Sequence, residues 1–534
     1  MRIMLISPPV TLHEEDVNPP TKPWLLGLGY MAAVLEREGY DVRILDCFNR
    51  SMQPEMGRPR FLRYGFSDDM ILQRVAEYSP DVVGVSCMFS PYSKDAHHIA
   101  RLCKQYNSII PVIFGGAHAS TFPEYVLKDE NVGCVVVGEG ENTMLDLVKR
   151  TEHGEGLTGI SGTMYRRNGQ VRREQPRPFI ENPDELPFPA WHLLDKEGLV
   201  EEAKRSPFVM RRPVGAMVTS RGCPYNCYFC SVRKMWSRKW RARSPENVVD
   251  EMEFLKNVHG FQEIQWLDDN CGVSKRRLGE ICDEIMARKL DVKWVATSGI
   301  AHWTLDQELL DKMKRAGCYR LIFGIESGDE ETRKIIRKTH SLSQAKRVTA
   351  HANKIGMWTA ATFIIGFPHE TKKEIDRTIS VSKWLGLDLA IFYLLVPQPG
   401  TDVYEIFKGQ GLLDLDRFLD PTYDDDEGQL GREYGSGIAT RHFTRDELQE
   451  HLSRAYRSFF YHRIRSLLVD SFQLVRKVHS WEDLRYLVGL MMTGLRMFAR
   501  LLSLKTFNNE MTRRRIRLSS EDIGSPEGPT RSQN

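Results

Sequence analysis

The sequence predicts two α/β units in succession: an N-terminal Rossmann- or flavodoxin-like parallel sheet, then a partial (β/α)6 TIM-type barrel, followed by a helical C-terminal region. Three observations predict this. Short apolar runs alternate with amphipathic helical stretches as far as Gly140, the same alternation resumes near Ala216, and beyond Gly400-Thr401 only helical patterning remains.

In the first unit the apolar runs are RIMLIS, VRILD, VVGVSC, PVIFGG and CVVVGEG, with helical patterns such as LGYMAAVLEREG between them. Buried strands separated by helices form parallel sheets through right-handed crossovers, and ligands of such sheets sit at the carboxyl ends of the strands. In TMYRRNGQVRRE, Asn168-Gly169 tolerates the positive φ of a tight hairpin turn. The prolines at 183, 187 and 189 mark ENPDELPFPAWHLL as a linker. The barrel strands are AMVTS, EIQWLDD, KWVATS, RLIFGIES, ATFIIGFP and AIFYLLVP. Ser244-Pro245-Glu246 supplies a cap, a first-turn proline and an early acid for one of the helices between them. PTYDDDEGQLGREYGSG reads as a loop, and Thr444-x-x-Glu447 as a capping box opening the C-terminal helices. The expected boundaries are 1–180, a linker 181–213, the barrel 214–420, helices 421–510 and a disordered tail 511–534.

The charges nearly cancel, with 74 Lys plus Arg against 71 Asp plus Glu, which argues against a nucleic-acid partner. No apolar run is long enough to span a bilayer, and MRIMLISPPV reads as a core strand rather than a signal peptide, so a cytoplasmic location is expected. The cationic, amphipathic C-terminal helices pack on the barrel as a lid or support, or touch a membrane surface.

Seven of the ten cysteines stand alone in the sequence, but Cys223, Cys227 and Cys230 cluster as Cys-x3-Cys-x2-Cys directly after a strand. Such a cluster in a large reduced chain points to metal or redox chemistry rather than disulfides. Three thiolates on a cubane cluster leave one iron open, whereas structural zinc takes four closed ligands and no fourth Cys or His lies nearby. SVRKMWSRKWRARS follows, with Arg233, Lys234, Arg238, Lys239, Arg241 and Arg243 interleaved with Trp236 and Trp240. It holds an anionic or flat substrate, or it is a solvated surface anchored by its tryptophans.

With Phe229 before the third cysteine, TSRGCPYNCYFCSV resembles the signature of the radical S-adenosylmethionine superfamily over roughly residues 214–400. The resemblance implies a [4Fe–4S] cluster on Cys223, Cys227 and Cys230. It further implies S-adenosylmethionine bound near Phe229, Asp269 of LDDN, Glu326 and Ser327 of FGIESG, and Gly366 of FIIGFPHE, where Glu370 lies one place beyond the usual acid. The preceding αβ unit resembles the superfamily's cobalamin-binding branch. That implies cobalamin at Ser7, Pro8, Ser86, Gly115, Gly116, Gly138 and Gly140. The family's histidine cobalt ligand has no counterpart in Asp46-Cys47-Phe48-Asn49-Arg50, His118 reads as structural, and His97 and His98 read as surface residues of a helix.

The activity implied is methylation of an unactivated carbon of a small-molecule biosynthetic intermediate, through a 5′-deoxyadenosyl radical and methylcobalamin. An external one-electron reductant such as flavodoxin or ferredoxin is implied with it. The domain order also resembles anaerobic magnesium-protoporphyrin monomethyl ester cyclases, which use the radical for oxidative ring closure. A third reading is a non-catalytic metal-binding or regulatory protein.

Overall fold

A computed structural model describes residues 1–13, 20–49, 55–58, 61–413, 419–420, 438–469 and 472–496. The acidic loop 421–437, Arg50 and the expected tail lie outside the described residues.

The first unit contains β1 (Arg2–Ser7), β2 (Val10–His13), β3 (Asp41–Asp46), β4 (Glu55–Arg58), β5 (Phe61–Tyr64), β6 (Val82–Ser86), β7 (Val112–Gly115), β8 (Cys134–Val136), β9 (Thr163–Arg167) and β10 (Gln170–Arg173). Its main sheet runs β10-β9-β8-β7-β6-β1-β3. Strands β8, β7, β6, β1 and β3 are parallel, and β9 and β10 add an antiparallel hairpin. Asn168 (φ 52°) and Gly169 (φ 73°) turn that hairpin as the sequence predicts. The parallel strands take the flavodoxin-like order, and the direction of winding reverses between β1 and β6. A side sheet, β2-β5-β4, lies beyond Ser7.

The second unit contains β11 (Val214–Met217), β12 (Ser220–Arg221), β13 (Arg241–Ala242), β14 (Glu263–Trp266), β15 (Lys293–Ala296), β16 (Arg320–Glu326), β17 (Trp358–Ile365) and β18 (Leu389–Leu394). Strands β11-β14-β15 and β16-β17-β18 are parallel sheets, joined by a bridge between Trp294 and Cys318. The six strands form the expected open barrel. Trp266 and Trp294, both fully buried, stack at 4.1 Å in its core.

The proline-rich stretch 181–194 packs against both units. Trp191 is 1% exposed and packs on Trp24 of the first unit and Phe261 of the second. One apolar core runs from the Leu26–Arg37 helix through Trp191 into the barrel. Prolines terminate regular structure here, but the bulky apolar residues between them still bury.

The Arg445–Val469 helix flanks the barrel from its ligand end, where Leu448 packs on Gly366, and the helix over 481–496 supports its base. The Arg445–Val469 helix covers the free edge of β18, where the Tyr456 hydroxyl accepts from Phe392 N (3.1 Å) and donates to Phe392 O (2.8 Å). The helix over 481–496 places Tyr486 on Arg320, at the amino end of β16 and so opposite the ligand end. A lid role is thereby excluded for Tyr486.

Candidate functional site

The cysteine loop leaves the carboxyl end of β11 under tight control. Thr219 donates to Asp268 through both its N–H (2.8 Å) and its hydroxyl (2.7 Å), and the Ser220 hydroxyl donates to the same carboxylate. Gly222 has φ +85°, and a Cβ there would stand 2.0 Å from Lys239 O, so only glycine fits. Its N–H donates to Asp269 (3.0 Å). The two acids of LDDN therefore fix the backbone before Cys223, and burial pushes the Asp269 carboxyl up to about 6.

Cys223, Cys227 and Cys230 are partly exposed, whereas the other seven cysteines are buried. Burial pushes the Cys230 thiol up to about 11 and raises Cys227, against which the Lys338 ammonium favours the Cys227 thiolate. Accessible thiols beside a buried cation fit a thiolate-held cluster. Among the described residues no three His, Cys, Asp or Glu side chains converge on a single-ion site, and a cluster of several irons asks its three thiolates to meet different irons instead.

Lys338 escaped the sequence reading, because it sits in the charged run RKIIRKTH that looks like a solvated surface. In the fold it donates to Gly324 O (2.6 Å) and Glu326 (3.1 Å), with only 14% of its side chain exposed. Glu326 sits after a register shift in β16 with φ +66°, a costly conformation for a residue with a Cβ, and also accepts from the Thr362 hydroxyl (3.2 Å). Strain of this kind concentrates at functional sites. The Ser327 side chain is fully buried; its hydroxyl meets Thr378 (3.2 Å) and accepts from Asp329 N (3.2 Å).

Phe229 and Gly366 are far apart in sequence but meet through Phe367, whose ring centre lies 6.0 Å from that of Phe229. Gly366 has φ +98°, and its N–H donates to Glu370 (2.8 Å), as does that of Phe367 (3.0 Å). Glu370 is fully buried, and burial pushes its carboxyl from 4.5 up to about 8. A raised folded-state value means that the protonated form stabilises the fold below pH 4.5, and this contribution is lost as pH rises to about 8. Glu370→Gln should therefore flatten the fall in stability across that window. Urea unfolding at pH 5 and pH 8 measures it; an unchanged difference between the two would reject the assignment.

In the first unit, Ser7, Ser86 and Gly115 end the neighbouring strands β1, β6 and β7, Pro8 follows Ser7, and Gly138 and Gly140 follow β8. Ser7 and Ser86 flank the crevice where the winding reverses. Gly116 is required by the backbone itself, since at φ +104° a Cβ would lie 2.8 Å from Cys87 O. Asp46, in the stretch lacking the histidine, holds Lys22 (2.5 Å), and Cys47 is fully buried. His118 is buried against Ser90 (2.9 Å), and burial pushes its imidazole down to about 4. His97 is not a surface residue: it is 7% exposed and bonds Asp129 (2.7 Å), because the Ser93–Tyr106 helix turns this face onto the sheet. His98 pairs with Asp68 and is partly exposed.

The basic segment is largely spent on structure. Arg243 pairs with buried Glu251, Arg241 with Glu139, Arg233 with Asp402 and Lys239 with Glu181. These pairings argue against an anion-binding cradle.

Two families match the chain: the radical SAM superfamily over residues 217–381 and the B12 binding domain over residues 23–148. An uncharacterised methyltransferase of Pyrococcus horikoshii is 34% identical over 474 residues, covering 89% of this chain and 95% of that protein. The cytidylyl-2-hydroxyethylphosphonate methyltransferase of Streptomyces wedmorensis is 34% identical, covering 78% and 84%. The anaerobic magnesium-protoporphyrin IX monomethyl ester cyclase of Rubrivivax gelatinosus is 27% identical, covering 76% and 70%. Among solved structures, the radical S-adenosylmethionine methyltransferase TsrM of Kitasatospora setae shares the fold at a TM-score of 0.62 and 20% identity, covering 86% of this chain and 88% of that one.

Proposed function

The chain belongs to the radical S-adenosylmethionine superfamily, in the branch that carries a B12-binding domain, and from that premise we propose that it methylates an unactivated carbon of a small-molecule biosynthetic intermediate. It is an enzyme of the cobalamin-dependent methyltransferase group. The observation that carries this reading is the joining of two ligand ends: the cysteine loop at the barrel mouth is tied directly to the carboxyl end of β8 in the first unit.

Cys223, Cys227 and Cys230 would hold the [4Fe–4S] cluster, and the strand ends at Ser7, Pro8, Ser86, Gly115, Gly116, Gly138 and Gly140 would receive cobalamin. When bound, the cluster supplies the electron that splits S-adenosylmethionine, and cobalamin carries the methyl group. Phe229 offers an apolar wall to the adenosyl group, and Gly366, its N–H held by Glu370 and its Cα packed against Leu448, shapes the turn behind that wall. Glu326, held by Lys338 and Thr362, presents a fixed carboxylate to the amino acid end. Asp269 holds Gly222 and so orients Cys223. Asp268 anchors the loop at Thr219 and Ser220. An external one-electron donor such as flavodoxin or ferredoxin would supply the reducing equivalent. Among the described residues no helix is long and apolar enough to cross a membrane.

Oxidative cyclisation is the second reading, and it is favoured less because the Rubrivivax cyclase is 27% identical against 34% for the Pyrococcus and Streptomyces methyltransferases. Oxygen-free reconstitution with cobalamin, S-adenosylmethionine, reductant and candidate substrates separates them. A methyltransferase forms S-adenosylhomocysteine and 5′-deoxyadenosine together. Formation of 5′-deoxyadenosine with no stoichiometric S-adenosylhomocysteine would transfer the assignment to cyclisation.

A further inference from the structure

Gly138-Glu139-Gly140-Glu141 was expected to serve cobalamin through its glycines, but its two carboxylates face the barrel. Glu139 is 7% exposed and Glu141 6%. Arg221 reaches Glu139 with Nη1 (2.8 Å) and Glu141 with Nη2 (2.6 Å). Arg241 Nη1 donates to both oxygens of Glu139 (2.9 and 2.7 Å) and to Ile180 O (2.6 Å), and Ile180 N donates back to Glu139 (2.8 Å). The flanking rings complete the enclosure: Arg221 lies over Tyr30 (5.2 Å) and Arg241 over Phe179 (4.7 Å).

Arg221 and Arg241 are direct partners across the β12–β13 ladder. Like charges opposite one another in a ladder repel. Glu139 lies between them as their shared counter-charge, so this short ladder depends on a carboxylate from the other unit. Arg221 stands two residues before Cys223, and Glu139 three residues after the end of β8. Few covalent links separate the ligand end of one unit from the cysteine loop of the other. A fork of guanidinium bonds fixes direction as well as distance.

We infer that Glu139 is a positioning residue, which through Arg221 and Arg241 fixes the cysteine loop relative to the cobalamin face of the first unit. This rests on the methyltransferase reading for its catalytic consequence but not for its mechanical one. Radical formation needs only the barrel, whereas methyl transfer needs both units in register. Loosening the clamp therefore uncouples the two.

The test uses the full chain, first without cofactors. Hydrogen exchange of Glu139→Gln should rise at residues 220–228 while the barrel strands β16 and β17 keep wild-type protection. Unchanged exchange at 220–228 overturns the inference, whatever the enzyme's reaction proves to be. After reconstitution, 5′-deoxyadenosine formed per bound cluster should stay within about twofold of wild type, and methylated product per 5′-deoxyadenosine should fall at least about tenfold, the scale of outer-shell effects. Equal losses of both, or an unchanged ratio, also overturn it. Arg221→Lys is the milder second variant should Glu139→Gln fold poorly; it keeps the charge but loses the fork, and it should move both readouts in the same direction.

Discussion

Cys227→Ala should yield a folded chain that takes up little iron or sulfide and forms neither 5′-deoxyadenosine nor S-adenosylhomocysteine. Cys227 is partly exposed in a loop rather than packed in a core, so its removal leaves no large cavity and the fold should survive. The control is Cys282→Ala, a fully buried thiol in the Lys275–Ala287 helix, which should lose some stability and keep its iron. Iron and sulfide analysis with circular dichroism reads both variants. Full cluster uptake by the Cys227 variant would remove the assigned site.

Lys338→Met should produce the next largest effect. The ammonium is the counter-ion of Glu326 and also acts on Cys227 and Cys230. Removing one member of a largely buried pair leaves the other charge desolvated, at a cost of about 3 kcal/mol. Replacing Glu326 with Gln as well should recover much of that stability, because no charge then stays unpaired. Activity should fall about 10–100-fold in the single variant, as with other outer-shell partners of a metal site, and should not return in the double variant. Recovery of turnover along with stability would make the pair purely structural. Urea unfolding and 5′-deoxyadenosine formation, both without oxygen, measure the two quantities.

The cysteine loop was legible because its chemistry is local. Three thiols within eight positions can face one point whatever the rest of the chain does, and the strand before them shows as a continuous apolar run. The two sheets were legible for a similar reason: period and apolar content are properties of adjacent residues. His97 was misread because its helix is polar overall, and which face meets the sheet is set by the strands beneath it. The burial of Trp191 was not legible in the linker around it, because prolines report the end of regular structure and say nothing of burial.

By itself, then, the amino-acid sequence determined the order of the units, the cluster ligands to be tested and the family. Tertiary structure alone decided the partners of the charges. Glu139 and Arg241 are 102 positions apart, and Arg221 and Glu139 are 82 apart. Glu326 and Lys338 are close in sequence, but they pair through a positive φ that no side-chain pattern announces. An ion pair carries no period and no fixed spacing. It is selected by which charges folding leaves together out of water, and that is a property of the packed chain.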